Sequence, residues 1–233
     1  MSEFSLLETI LYEPSKGISG LFRFYLLQQH VTRLQTAMQD FNSLDNSLFN
    51  KSITRQDIIE ELNVKVPLDD SYHRVRLLVN TDSKIIVEHT LLPVPEYSID
   101  SLDEAVTMTP TLNVVLDTQP ISAPSNDPYL VHKTTKRDVY DTSRARTNCQ
   151  WHGDNNEPFD VILYNANREI TETSITNIAI RFEQDGQYIW KTPKLSCGLL
   201  PGVFRTYLLE TQHNLVEDMI TIEDLKAAQK VSR

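Results

Sequence analysis

One helical stripe and one hairpin set the fold class of this chain. In LFRFYLLQQHVTRLQTAMQDF, the residues Leu26, Leu27, Val31, Leu34, Ala37, Met38 and Phe41 recur at three- and four-residue steps. That spacing lines them along one side of an α-helix, with His30 and Arg33 at the edge of the stripe. Such a helix buries its apolar side only against a second layer, and the neighbouring segments supply one. Phe4 to Tyr12 alternates as a strand and is closed by the turn-like Glu13-Pro14-Ser15-Lys16-Gly17. After a short helix over Arg55 to Leu62, His73 to Val79 and Ile85 to Thr90 flank Thr81-Asp82-Ser83-Lys84, a hairpin pattern. The first part of the chain therefore reads as a small α/β domain.

Leu112 to Leu116 is a further strand. Between Asp117 and Tyr129 the stretch TQPISAPSNDP carries three prolines and no periodicity, which reads as a surface linker over 118–128. It separates a domain at 1–117 from a larger strand-rich domain at 129–233. In the latter the pattern predicts helices over Thr135–Ala145, Gly202–Gln212 and Ile222–Lys230. Strands are predicted at Phe159–Asn165, Thr173–Phe182, Gln187–Lys191 and Leu215–Ile220.

The 233 residues, 40% of them hydrophobic and 23% charged, are enough to bury a core without disulfides. Cys149 and Cys197 lack the spacing of a bridge framework or zinc site, so a reducing, cytoplasmic compartment is expected. No apolar run reaches the roughly 18 residues of a membrane helix, and the start MSEFSLLETI is acidic where a secretory signal is basic. A net charge of −10, from 22 basic and 32 acidic residues, repels phosphodiester backbones and anionic lipid. Neither nucleic acid nor membrane is expected as a partner. A small anionic substrate is compatible with this field if its cations are local and pre-placed.

Six glycines form no GxGxxG and no phosphate-binding Walker loop, the six histidines form no HExxH, and GxSxG is absent. Trp151-His152-Gly153-Asp154 holds one His and one Asp in a polar loop, which is no metal pattern. No metal is expected.

Three segments carry more information together than apart. They are His132-Lys133-Thr134-Thr135-Lys136-Arg137, Glu172-Thr173-Ser174-Ile175-Thr176-Asn177, and Gly198-Leu199-Leu200-Pro201-Gly202-Val203-Phe204-Arg205. In this order they resemble the class IV aminotransferase family, the pyridoxal-phosphate enzymes of fold type IV. The resemblance extends upstream. Leu7-Glu8-Thr9 is similar to the family's Phe-Glu-Thr, with Leu in place of Phe, and Leu27 with His30-Val31-Thr32-Arg33-Leu34 is similar to its Leu-x-x-His-x-x-Arg-Leu helix. HKTTKRDVYD together with CGLLPGVFR resembles most the aminodeoxychorismate lyase branch.

The resemblance implies a mixed α/β (α+β) fold and pyridoxal 5'-phosphate as cofactor. It implies that Lys133 forms the Schiff base and moves protons, with Lys136, three residues on, as the competing lysine. Glu172 would pair with the pyridine nitrogen, followed at the family spacing by Asn177. The amides of Val203 and Phe204 at a helix start, with Arg33, would hold the phosphate. The broader family often has Thr where Phe204 stands, so a hydroxyl contact is missing. The implied reaction converts 4-amino-4-deoxychorismate to 4-aminobenzoate and pyruvate. A transaminase acting on branched-chain, D-amino or amine substrates uses the same Lys133 and Glu172, and a cofactor-binding or interaction protein without activity is a third reading. Arg74, Arg76, Arg144 and Arg146 are all candidates for the substrate carboxylates. The resemblance also implies a homodimer. The family continues past the position of Arg233 with a strand and loop near the phosphate, so this chain reads as shortened at its C-terminus, with weakened cofactor binding expected.

Overall fold

The computed structural model describes residues 4–14, 23–94, 102–105, 111–151 and 157–228, and the backbone of 230–232. The turn residues Ser15 to Gly17 and the loop residues His152 to Asp154 lie outside them. The chain forms two compact units, Met1–Glu96 with His132–Lys136, and Tyr97–Val131 with Arg137–Arg233.

In the first unit, β1 (Ser5–Tyr12) pairs antiparallel with β2 (Tyr72–Asn80), Ser5 opposite Asn80 and Tyr12 opposite His73. β2 pairs antiparallel with β3 (Ile85–Leu92) through the expected hairpin. Alternation in β1 sends Leu6, Glu8, Ile10 and Tyr12 to the buried side. Against β1 lies α1 (Leu27–Leu44), which buries Leu27, His30, Val31, Leu34, Ala37, Met38 and Phe41. Burying each large apolar side chain is worth about 1.5–3 kcal/mol, so this stripe holds the helix to the sheet. Phe4 and Phe41, with ring centroids 5.0 Å apart, close its far end. α2 (Arg55–Lys65) runs one turn past the expected Leu62. It is opened by a reciprocal cap in which Thr54 and Asp57 bond each other's backbone N–H.

The second unit holds α3 (Leu102–Ala105), β4 (Val114–Leu116), α4 (Pro128–Val131), α5 (Asp138–Arg146), β5 (Asp160–Tyr164) and β6 (Ile170–Thr173). They are followed by β7 (Ala179–Gln184), β8 (Gln187–Pro193), α6 (Val203–Thr211), β9 (Leu215–Asp218), α7 (Ile222–Ala227) and β10 (Lys230–Ser232). One sheet has the order β4-β5-β6 and the other β10-β7-β8-β9. β5 is buried on both faces. Ile162 and Tyr164 join Ile170, Ile178, Ile180, Ile220 and Ile222, while Val161 and Leu163 join Ile121, Leu130 and Tyr140.

Several expectations are corrected here. The boundary at Asp117 falls inside the second unit, because β4 pairs with β5 and Asp117 N–H continues the pairing to the Ile162 carbonyl. The proline-rich stretch is not a surface linker throughout. Ile121 is buried and its N–H bonds the Tyr164 carbonyl at 2.8 Å. The single strand read over Thr173–Phe182 is two strands, since the Thr173 hydroxyl and N–H bond the backbone of Thr176 and close a turn that competes with the ladder. The helix read from Thr135 begins at Asp138, because Thr135 N–H is given to Ser5 in the first unit. The helix read to Lys230 ends at Ala227, and Lys230–Ser232 pair with β7 instead. Both cysteines are free thiols.

Candidate active site

In the second unit, β6 carries Glu172 at a buried position, in the strand and not ahead of it as its sequence context suggests. Its two oxygens are held from three directions. The Tyr140 hydroxyl on α5 donates to Oε1 at 2.8 Å, the Asn177 amide donates to Oε2 at 3.0 Å, and Leu200 N–H approaches Oε2 at 3.4 Å. Asn177 also donates to the Leu200 carbonyl at 2.9 Å, which ties the loop after β6 to the segment before α6. Donors therefore address both oxygens of the Glu172 carboxyl. Burial first, then the charge of Glu172, pushes the Tyr140 phenol far above its usual range, so it keeps the proton it donates to Glu172. The Arg137 guanidinium lies over the Tyr140 ring, 4.9 Å from its centroid. Sequence reasoning singled out Glu172 and Asn177, which the structure brings into contact, but not Tyr140. The available signal was its place three residues after Arg137, where two side chains share a helix face.

At the start of α6, Gly202 is the N-cap and offers no capping side chain to the first-turn N–H groups of Val203 and Phe204. A helix start of this kind suits an anion. Gly202 is required by crowding rather than by backbone angle, since a β-carbon there would fall on Asn177 Oδ1. Gly198 is required by both, with φ +90° and a would-be β-carbon 2.7 Å from Ser125 Cα. Phe204, in place of a hydroxyl residue, stacks on Tyr207 at 5.9 Å.

In the first unit, His132–Lys136 runs beside β1. The Lys133 carbonyl accepts Leu7 N–H at 2.9 Å, and Thr135 N–H donates to the Ser5 carbonyl at 2.8 Å. These bonds fix the backbone of Lys133 while its side chain stays half-buried, as does that of Lys136. On the same strand, Glu8 accepts His30 Nδ1 at 2.6 Å, Arg33 Nε at 2.9 Å and a terminal Arg33 nitrogen at 2.5 Å. Burial alone raises the Glu8 carboxyl, but the His30 hydrogen bond and the Arg33 charge outweigh it and hold Glu8 below the usual carboxylate range. Arg33, expected at a phosphate, is thus first of all oriented by Glu8. Those two bonds engage Nε and one terminal nitrogen of the guanidinium.

The four candidate arginines separate. Arg144 is buried, bonds Asp160 at 3.3 Å and Ser174 Oγ at 3.0 Å, and lies over the Trp151 ring. Arg146 bonds both oxygens of buried Asp117, at 2.8 and 2.6 Å. Both serve as internal counter-ions. Arg76 pairs with Glu88 at 2.7 Å on the exposed sheet surface, and Arg74 is exposed on β2.

The family profile described as Amino-transferase class IV matches residues 5–232. The chain belongs to the class IV aminotransferase family. A Schizosaccharomyces pombe protein, provisionally named aminodeoxychorismate lyase, is 28% identical over 99% of this chain and 85% of its own length. The aminodeoxychorismate lyase of Saccharomyces cerevisiae is 27% identical over 80% of this chain, which spans 58% of that protein. A Mesorhizobium loti structure, provisionally named an amino-acid aminotransferase, superimposes with a TM-score of 0.72 at 25% identity, covering 98% of this chain and 92% of its own. The mixed α/β architecture is that of the class IV aminotransferases. Among the described residues no helix is long and apolar enough to cross a membrane, and no group of three or more His, Cys, Asp or Glu is placed to hold a metal ion.

Proposed function

We propose that this family member is a pyridoxal-phosphate-dependent aminodeoxychorismate lyase, converting 4-amino-4-deoxychorismate to 4-aminobenzoate and pyruvate. The observation that carries the reading is that both curated relatives described above bear the lyase name, across 99% and 80% of this chain.

The donor set supports the cofactor assignment. Glu172 is a buried carboxylate fixed at both oxygens, and α6 begins without a side-chain cap. When bound, pyridoxal phosphate supplies an aldehyde for a primary amine and a ring that withdraws electrons from the carbon bearing it. In this assignment Glu172 holds a proton at the pyridine nitrogen, Val203 and Phe204 offer backbone N–H groups to the phosphate, and Arg33, oriented by Glu8, adds charge. Asn177 keeps Glu172 and the Leu200 segment in register. Lys133 is the residue that attaches the cofactor. Once displaced by the substrate amine, its Nζ removes the proton from the amine-bearing ring carbon. The enolpyruvyl group leaves with the electrons of the C–O bond and takes up a proton at carbon, so substrate equals 4-aminobenzoate plus pyruvate. We assign a cytoplasmic homodimer, whose mass sedimentation of the purified protein checks and whose compartment cell fractionation checks.

Incubating the cofactor-loaded protein with 4-amino-4-deoxychorismate tests the reaction, with 4-aminobenzoate and pyruvate expected in equal amounts. Ready conversion of the cofactor to its amine form by alanine or glutamate, without any 4-aminobenzoate, would identify a transaminase instead.

A further inference from the structure

The motif Lys133-Thr134-Thr135-Lys136-Arg137 accounts for a lysine, but the three residues after it leave a buried tyrosine that the reaction above does not use. Tyr140 is 8% exposed, sits on α5 against Val161 and Leu163 of β5, and points its hydroxyl at Glu172 Oε1. Nothing about packing demands a hydroxyl there. A phenylalanine would fill the same apolar space, and a buried hydroxyl without a partner costs free energy. The hydroxyl therefore answers to the carboxylate. Arg137 over the ring fixes the aromatic plane from the other side, and its own guanidinium is anchored on the Ser174 carbonyl at 2.5 Å.

We propose that Tyr140 is a positioning residue that holds Glu172 as an oriented anion toward the cofactor ring. The proposal rests on the functional reading above for what Glu172 does, but the coupling of Tyr140 to Glu172 is a property of the chain itself. Asn177 and Leu200 N–H address Oε2, so removing the phenol leaves Oε1 buried without this donor and lets the carboxyl rotate about its last bond. A less stabilised anion takes up a proton at higher pH, and a protonated Glu172 no longer keeps one on the pyridine nitrogen.

Tyr140→Phe tests this in two states. In the cofactor-free protein, carbon-13 NMR of the Glu172 carboxyl should show protonation at higher pH than in wild type. In the loaded enzyme kcat should fall about tenfold, about 1.4 kcal/mol, with KM changed less than twofold and the acid limb of the pH–rate profile moved up. In a Glu172→Gln background, Tyr140→Phe should lower kcat by less than twofold, because a positioning residue has nothing left to position. An unmoved Glu172 titration, or effects that multiply in the double variant, would overturn the proposal. Should Tyr140→Phe not fold, 3,5-difluorotyrosine at position 140 keeps the ring and strengthens the donor. The Glu172 titration must then move to lower pH, and no movement overturns the idea. If wild type makes no 4-aminobenzoate, the lyase reading fails while the cofactor-free titration still decides the coupling.

Discussion

The side chain of Asn177 fills the space that a β-carbon on Gly202 would need. Through that contact, the loop that carries the partner of Glu172 and the cap of α6 share one packing constraint. Gly202→Ala should push Asn177 off Glu172 Oε2 and the Leu200 carbonyl, lowering stability by about 1–3 kcal/mol through the broken bonds and the clash. Thermal melting measures it. Combining Gly202→Ala with Asn177→Ala should cost less than the two changes summed, because the clash then has no partner.

Lys133→Ala should abolish borohydride-stable attachment of the cofactor while leaving the melting temperature within about 2–3 °C of wild type, since a half-buried lysine adds little packing. Lys136→Ala should keep the attachment. The opposite pattern would show that Lys136 is the attached residue.

Glu172→Gln keeps the shape and the bond from Tyr140 but loses the negative charge. Turnover should fall by at least 100-fold and cofactor affinity by less than tenfold. An equal fall in both would make Glu172 a structural anchor.

Glu8→Gln removes the counter-charge of Arg33 and His30 in a buried setting and should cost about 2–3 kcal/mol at pH 7. The pH dependence has a defined sign. The Glu8 carboxyl is depressed in the folded protein, so its contribution is fully present above the unfolded value of about 4.3 and is lost as pH falls through the lower folded value. Denaturant midpoints measured for both proteins should therefore converge in acid. A constant gap would remove Glu8 as the source.

Periodicity made α1 and the β2–β3 hairpin legible, because each depends on residues three, four or two apart. The turn at Thr173–Thr176 was legible in principle and lost to the hydrophobic alternation around it. What the sequence hides is partnership across distance. Tyr140 meets Glu172 over 32 positions and Arg33 meets Glu8 over 25, and no local pattern encodes either. Motif resemblance named Lys133, Glu172, Asn177 and Arg33 but was silent on what orients them. Arg144 and Arg146 show the converse, as cations that looked available and are held by Asp160 and Asp117.

The bonds between β1 and the segment around Lys133 also fix an order of events on the ribosome. Ser5 and Leu7 are made well before their partners Thr135 and Lys133, which lie about 130 positions later, beyond α4 of the other unit. Chain growth proceeds at roughly 5–20 residues per second. The nascent first unit therefore waits several seconds with the Ser5–Leu7 end of β1 unmatched, until the lysine segment leaves the exit tunnel and completes it, while the other end already meets Arg23 to Tyr25. A stop codon shortly after Glu96 would yield a fragment permanently in that waiting state, with the Ser5–Leu7 end of the strand open to other chains.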